Sequence, residues 1–246
     1  MTATLATSTE GTFSPSSGMR TRRVRRGTSS ALWGAAGVVT LVVIVEVLPR
    51  AGIVDARFLP PFSQMAAALG ERAGTAEFWV ALRQTLTTWA LGVAIAMVGG
   101  VVLGMFIGSI TALRTATAST IEFLRPIPSV ALIPLAVLLF GTGVESTLML
   151  VVYAAFWQVL IQVLYGVQDV DPVARDTARV YQFRFLTEGY RLVWPTVLPY
   201  AATGFRLAAS VGLILTITGE LIIGTPGLGR LVGVAQQSGA VASMYG

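Results

Sequence analysis

The sequence contains no cysteine, no histidine and no lysine, so all 17 of its basic residues are arginine. Without cysteine there is no disulfide framework, no thiolate nucleophile and no iron–sulfur site. Without histidine there is no Ser-His triad and no imidazole ligand for a metal. Without lysine there is no Schiff base and no G-x-x-x-x-G-K-[ST] loop for nucleotide phosphates. Any ATP that this protein uses must therefore be bound by another chain. Charge is scarce as well: 12% of the 246 residues carry one, against roughly 25% in a soluble globular domain. What replaces it is apolar. Hydrophobic residues make up 54% of the chain, and the mean hydropathy is +0.74. These values exclude a disordered chain and an ordinary soluble enzyme, and they fit an all-α protein that crosses a membrane several times.

The apolar residues fall into five segments. The first, 31–48, follows a Thr/Ser/Gly-rich stretch ending in Met-Arg-Thr-Arg-Arg-Val-Arg-Arg. Residues 1–28 cannot build a core and read as a disordered cytoplasmic tail. The run after them is long enough to span and lacks a clean small-x-small cleavage site, which favours an uncleaved anchor over a signal peptide. Further segments lie at 85–110, 128–140, 147–165 and 199–223. About 20 helical residues rise roughly 30 Å, enough to cross the hydrocarbon. The third segment is too short alone and contains Pro134, so its helix must extend back through the more polar stretch 115–125 or sit tilted inside protein.

The net charge of +5 reads as an orientation signal rather than a nucleic-acid footprint, because five arginines fall within 20–26. With that tail in the cytoplasm, Arg114, Arg125, Arg175, Arg179, Arg184, Arg191 and Arg206 fall on the same side, giving twelve against five. The outer five are Arg50, Arg57, Arg72, Arg83 and Arg230. This asymmetry predicts a cytoplasmic N-terminus and a cytoplasmic loop over 166–198. Five spans then leave the last residues, Ser-Met-Tyr-Gly, on the outer side, as if a sixth helix were to follow.

Small residues recur every fourth position in the second segment, at Gly92, Ala96, Gly100, Gly104 and Gly108. They predict close helix approach, within one subunit or at a subunit interface or moving pore wall. Gly204, Ala208 and Gly212 repeat the spacing. Glu122 and Arg125 are placed to bridge along a helix. Pro126, Pro128 and Pro134 break the ladder nearby, at an interfacial kink or in a segment lining a pathway. Glu46 and Glu220 are carboxylates at the edges of apolar segments, either interfacial or engaged in substrate binding, gating or proton coupling. The stretch from Gly224 to Arg230 lacks a lysine and reads as a tight turn. Ser129, Gln158, Thr216 and Glu220 are the pathway candidates.

The loop at 166–198 is the most informative. Asp171-Pro172 starts a helix reaching Arg179. A second amphipathic stretch covers about 184–194, with Arg184, Glu188 and Arg191 on a polar side and Phe185, Leu186, Leu192 and Trp194 as apolar contacts. Exposed aromatic residues on such a helix fit a groove on a partner. Pro195 and Pro199 then lead into the fifth segment.

Here the sequence resembles the permease subunit of bacterial ATP-binding-cassette importers, in the branch that includes nitrate, aliphatic sulfonate, taurine and pyrimidine-precursor systems. That family carries Glu-Ala-Ala, three residues, Gly, nine residues, an aliphatic residue, one residue and Leu-Pro. Asp176-Thr177-Ala178, Gln182, Leu192 and Trp194-Pro195 occupy those positions without a gap. Phe58-Leu59-Pro60-Pro61, the stretch from Glu122 through Pro134, Phe140-Gly141-Thr142-Gly143, Leu198-Pro199-Tyr200, Gly204-Phe205-Arg206-Leu207, and Glu220 through Gly229 fit the same pattern. Two departures stand out: Gln182 replaces the turn glycine, and Asp176 is shorter than glutamate.

The resemblance implies a six-helix permease in the bacterial plasma membrane. It implies a second permease subunit, as a homodimer, two cytosolic P-loop ATPases that bind the ATP and magnesium, and an extracytoplasmic solute-binding protein. No cofactor or metal is expected in this chain. Residues 183–194 would be the coupling helix, with Asp176, Thr177, Ala178, Gln182, Phe185, Glu188, Arg191, Trp194 and Pro195 docking the ATPase. A proton-coupled secondary transporter, a membrane scaffold or a nonfunctional fragment are the other readings; no inverted repeat supports the first of these.

Overall fold

A computed structural model describes residues 29–55, 58–239 and 244. The predicted tail 1–28, Arg57 and all but Met244 of the last seven residues lie outside the described residues. The regular elements among the described residues are all helices, with no strand. The chain divides after Ile44 into two compact units. The helix α1 (Ser29–Arg50) runs across that division, and Trp33–Arg50 is apolar enough to cross a membrane.

The second unit contains α2 (Phe62–Ala73), α3 (Ala76–Ser109), α4 (Thr111–Leu124), α5 (Ile133–Phe140), α6 (Val144–Gln168), α7 (Pro172–Val180), α8 (Phe185–Glu188), α9 (Trp194–Ile223) and α10 (Leu228–Gln237). Three stretches here are long and apolar enough to cross: Ala76–Ser109, Val144–Gln168 and Phe185–Ile223. Short α2 and α10 escape a search for long apolar runs. The N-terminus of α2 is held by Glu46, whose carboxylate accepts from the Ser63 backbone N–H and hydroxyl, both at 2.9 Å, and pairs with Arg50 at 2.5 Å. Glu46 is thus a helix-terminus anion.

The third apolar segment differs from expectation. It is not one helix reaching back to residue 115. The chain breaks at 125–128, and Thr111–Leu124 and Ser129–Phe140 meet at 82°. Pro126 and Pro128 donate no backbone hydrogen bond, and Pro128 is extended at φ −62°, ψ 119°, so the ladder cannot continue through them. A 3-10 turn, Ser129–Leu132, restarts it before α5.

The core of this unit is α6, with α3 against one side and α9 against another. The small-residue row of α3 is buried along its whole length. A Cβ added at Gly92, Gly100, Gly104 or Gly108 would meet Val151, Val159, Val163 or Val167 respectively, at 2.6–2.9 Å. Glycine and valine numbers advance together, so α3 and α6 run parallel. A contact row of period four, longer than 3.6, winds the pair about each other in the right-handed sense. On α9 the order reverses: Gly219 meets Thr147, Gly212 meets Val151 and Gly204 meets Val159, so α9 is antiparallel to α6. Lipid chains are as apolar as leucine, so in a bilayer such close approach, rather than hydrophobic burial, drives association.

Parallel α3 and α6 require the chain between them to travel back the length of the bundle. The bent pair makes this return and counts as the fifth crossing. Tyr153 donates to the Leu124 carbonyl at 2.8 Å, which fixes the bend beside the interior of α6.

Replacing Gly104 with valine should destabilise the folded chain by about 1–3 kcal/mol or more, because Val163 and the Leu160 carbonyl leave no room. Gly70→Ala, with nothing within 4 Å of the new carbon, should leave stability equal or slightly higher. Thermal unfolding of both variants in mild detergent checks this, and Gly104→Ala with Val163→Ala should recover part of a Gly104→Ala loss.

Candidate functional site

The chain between α6 and α9 forms two short helices, α7 and α8. Asp171 caps α7 by accepting from the Val173 backbone N–H at 2.8 Å, with Pro172 in the first turn. At its other end the Phe183 N–H donates to the Ala178 carbonyl and the Gln182 N–H to the Arg179 carbonyl, both at 2.9 Å. This is a Schellman ending. It needs a left-handed residue, and Gln182 supplies it at φ 54°, the only non-glycine with positive φ among the described residues. The turn expected of a glycine is made by glutamine at a steric cost.

From Phe185 the chain is helical without a break to Ile223, through α8, a wider π turn at Gly189–Val193, and α9. In the π turn Trp194 N–H reaches back to the Gly189 carbonyl. Pro195 has no N–H for the Arg191 carbonyl and crowds it, which explains the wider turn at this point. The loop between α6 and α9 therefore ends in α8, the first turn of a continuous helix apolar enough to cross a membrane.

The predicted docking residues separate by position. Asp176, Thr177, Gln182, Phe185, Arg191 and Pro195 are exposed. Ala178 is buried, and Glu188 and Trp194 are half-buried. Glu188 reaches Arg175 at 3.6 Å and so ties α8 to α7, whereas Asp176 pairs with Arg179 on the exposed surface, where the pair contributes little. The exposed apolar residues include some that the motif does not mark: Leu186 is 81% exposed, Val180 80%, Tyr190 75% and Tyr181 73%. The side chain of Tyr190 also borders, with Phe106, Leu186 and Trp194, an apolar groove of about 500 Å³.

At the opposite end of α9 the structure buries a single carboxylate among polar partners. Glu220, 1% exposed, accepts from the Thr85 hydroxyl on α3 and from the Gly229 backbone N–H on α10, each at 2.9 Å. Thr85 in turn accepts from the Leu228 N–H at 2.9 Å. A Cβ at Gly227 would overlap the Glu220 carboxyl group. The turn from Gly224 to Arg230 is thus a lid folded onto Glu220, and α3, α9 and α10 are clipped together there. Thr147 and Thr225 add a second buried contact at 2.9 Å. An interfacial position beside water does not describe Glu220; it is enclosed by protein.

Of the pathway candidates, Thr216 is fully buried and bonded to the Gly212 carbonyl at 2.9 Å. Neither it nor Glu220 is open to a solute in this conformation. Ser129 and Gln158 are half-buried. Glu122 and Arg125 are exposed and do not form the expected bridge; the ion pairs among the described residues are Arg50–Glu46, Arg175–Glu188 and Arg179–Asp176. Instead both border an open groove of about 750 Å³ with Arg114, Tyr165 and Gln168. Arg206, expected just inside the fifth apolar segment, is exposed on α9. No group of three carboxylates among the described residues is placed to hold a metal.

The described helices, several of them long and apolar enough to cross a membrane, with a two-helix loop built onto the start of one, are those of an all-helical polytopic membrane protein. The chain belongs to the binding-protein-dependent transport system inner membrane components, whose family pattern matches residues 100–246. It is similar to the taurine transport system permease protein TauC of Escherichia coli, 31% identical over 201 residues, covering 78% of this chain and 73% of that one. It is also similar to the nitrate import permease protein NrtB of a Synechocystis species, 27% identical over 160 residues, covering 65% and 58%. A third relative is the bicarbonate transport system permease protein CmpB of Synechococcus elongatus, 27% identical over 168 residues, covering 68% and 60%.

Gln182→Gly should stabilise the chain by about 1 kcal/mol by relieving the left-handed glutamine, read as a higher unfolding temperature in detergent. Glu220→Ala should cost about 2–4 kcal/mol, because two buried donors lose their acceptor and a cavity remains. Glu220→Gln keeps an acceptor for both and should lose less than half as much.

Proposed function

We propose that this chain is the membrane-spanning subunit of an ATP-driven importer for a small solute, working with a separate ATPase. One observation carries the reading: an exposed apolar surface on α7 and α8 is built directly onto the start of a membrane-crossing helix. A soluble partner that grips Phe185, Leu186 and Tyr190 holds the end of α9 itself. Membership of the family and the names of the relatives support the same conclusion.

In this mechanism the chain performs no covalent chemistry. A second copy completes the path, and two P-loop ATPases dock on the paired inner loops and bind the nucleotide and magnesium. A binding protein delivers solute from outside. Closure of the ATPase pair draws the inner loops together, and α9 transmits the displacement across the membrane as a rigid-body motion. Arginine asymmetry supports an inner position for the N-terminus, α7 and α8. The relatives' names point to a small oxyanion or sulfonate as the solute.

Leu186→Asp tests the docking surface at little cost to folding, since Leu186 packs against almost nothing. Complexes extracted from native membranes in mild detergent should contain a P-loop ATPase with the unaltered chain and at least tenfold less with Leu186→Asp. Equal recovery from both would remove the docking role. Folded, unaltered chain that brings down no ATPase would sink the importer reading.

A further inference from the structure

The break between α4 and α5 leaves backbone groups without their helical partners. The Glu122 carbonyl would accept from residue 126 and the Leu124 carbonyl from residue 128, and both are prolines. Leu124 finds substitutes in the Ile127 N–H at 3.3 Å and the Tyr153 hydroxyl at 2.8 Å. The Glu122 carbonyl finds none among the described residues. The Ser129 and Val130 N–H groups precede the first hydrogen bond of the 3-10 turn, from Ala131 to the Pro128 carbonyl at 2.9 Å. The depth of this break is fixed by α6, which Tyr153 ties to it. Tyr153 lies nine residues from the start of α6 and fifteen from its end, about 13 Å and 22 Å along the axis. The whole helix is about 36 Å long. A hydrocarbon layer of roughly 30 Å laid anywhere along that length keeps Tyr153 at least about 7 Å inside.

A long side chain can reach the edge of a bilayer by snorkelling, but a backbone carbonyl cannot. Non-helical backbone at this depth is tolerated only where protein buries it or where it lines a water-filled cavity. This chain does not bury it: Glu122, Arg125, Pro126 and Pro128 are exposed, and no residue of α4 is buried. What reaches the break is the groove of about 750 Å³ between α4 and α6, whose lining extends from Gln168, the last residue of α6, to Arg125 and Pro126. Its walls suit water rather than lipid chains. Arg114, Thr115, Glu122 and Arg125 border it on the α4 side, and Tyr165 and Gln168 on the α6 side. We propose that this groove is water-filled and forms one arm of the translocation path, entered from the Gln168 end and closed at the proline break. The free carbonyl of Glu122 and the charges of Glu122 and Arg125 then face water in the middle of the membrane, and the solute that passes them is polar and hydrated. This assignment rests on reading the chain as an importer subunit.

The absence of cysteine gives a clean test. Ala118→Cys, on the groove, is introduced into the full chain in open fragments of its native membrane. Val180→Cys, on the exposed face of α7, is the reference for water, and Leu138→Cys, 81% exposed on apolar α5, is the reference for its absence. Each is treated with the membrane-impermeant trimethylammonioethyl methanethiosulfonate, and labelling is read as a mass shift on the purified chain. The reagent attacks the thiolate, which forms only in contact with water, so Ala118→Cys should react within about tenfold of Val180→Cys and Leu138→Cys at least about a hundredfold more slowly. An Ala118→Cys as slow as Leu138→Cys would overturn the proposal, since lipid or protein would then fill the groove. Alternating access opens one arm at a time, so the Ala118→Cys rate should also change by about tenfold or more between nucleotide-free membranes and membranes treated with ATP and vanadate. A fast rate that is identical in both states would overturn the path and leave only a wet crevice. The first comparison requires no solute and no ATPase, so its outcome is separable from that of the co-purification test.

Discussion

The close approach of α3 and α6 is the constraint on which the rest of this molecule depends. Glycine or alanine at every fourth position of α3 leaves a trough one backbone deep, and the valines of α6 fill it. A bilayer supplies no hydrophobic force to push two apolar helices together, so contact area gained by intimacy is what holds them. Because the two helices are parallel, the segment between them must return through the full depth of the bundle. That requirement places the proline break at 125–128 inside the unit. It also leaves α6 with a second face for α9, and hence sets where Glu220 and the α7–α8 loop lie.

Much of this was legible in the sequence, for identifiable reasons. The four-residue spacing of glycine and alanine announces close packing because only small residues let two helix backbones approach so closely. The Asp-Pro start of α7 is readable because capping is local. Even the strain at Gln182 is foreseeable, since the spacing puts a side chain where the turn requires a left-handed residue. Long apolar runs mark the spans, although α3 and α6 extend beyond their apolar limits as amphipathic turns.

What the sequence could not convey depends on contacts between distant segments. Glu220 has the same neighbours in sequence whether it sits beside water or under a lid; only folding the Gly227 turn onto it, and bringing up Thr85, buries it. Glu122 and Arg125 have the spacing of a bridge, but α4 ends at Leu124, between the two. The partner valines of the glycine row are likewise invisible until the register of two helices is known.

The interlocked seam also limits how the protein can change shape. Valine teeth seated in glycine notches behave as a rack: sliding α3 along α6 by one notch means a jump of about 6 Å, four residues of helix rise, through positions where every tooth meets backbone. Intermediate offsets are closed to it. The seated pair of α3 and α6 therefore resists sliding, which leaves the places where the helices stop, the proline break, the glycine corner at 141–143 and the junction of α6 with α7, as the natural joints. A transport cycle built on this chain has few joints, and their positions are set by where the teeth stop.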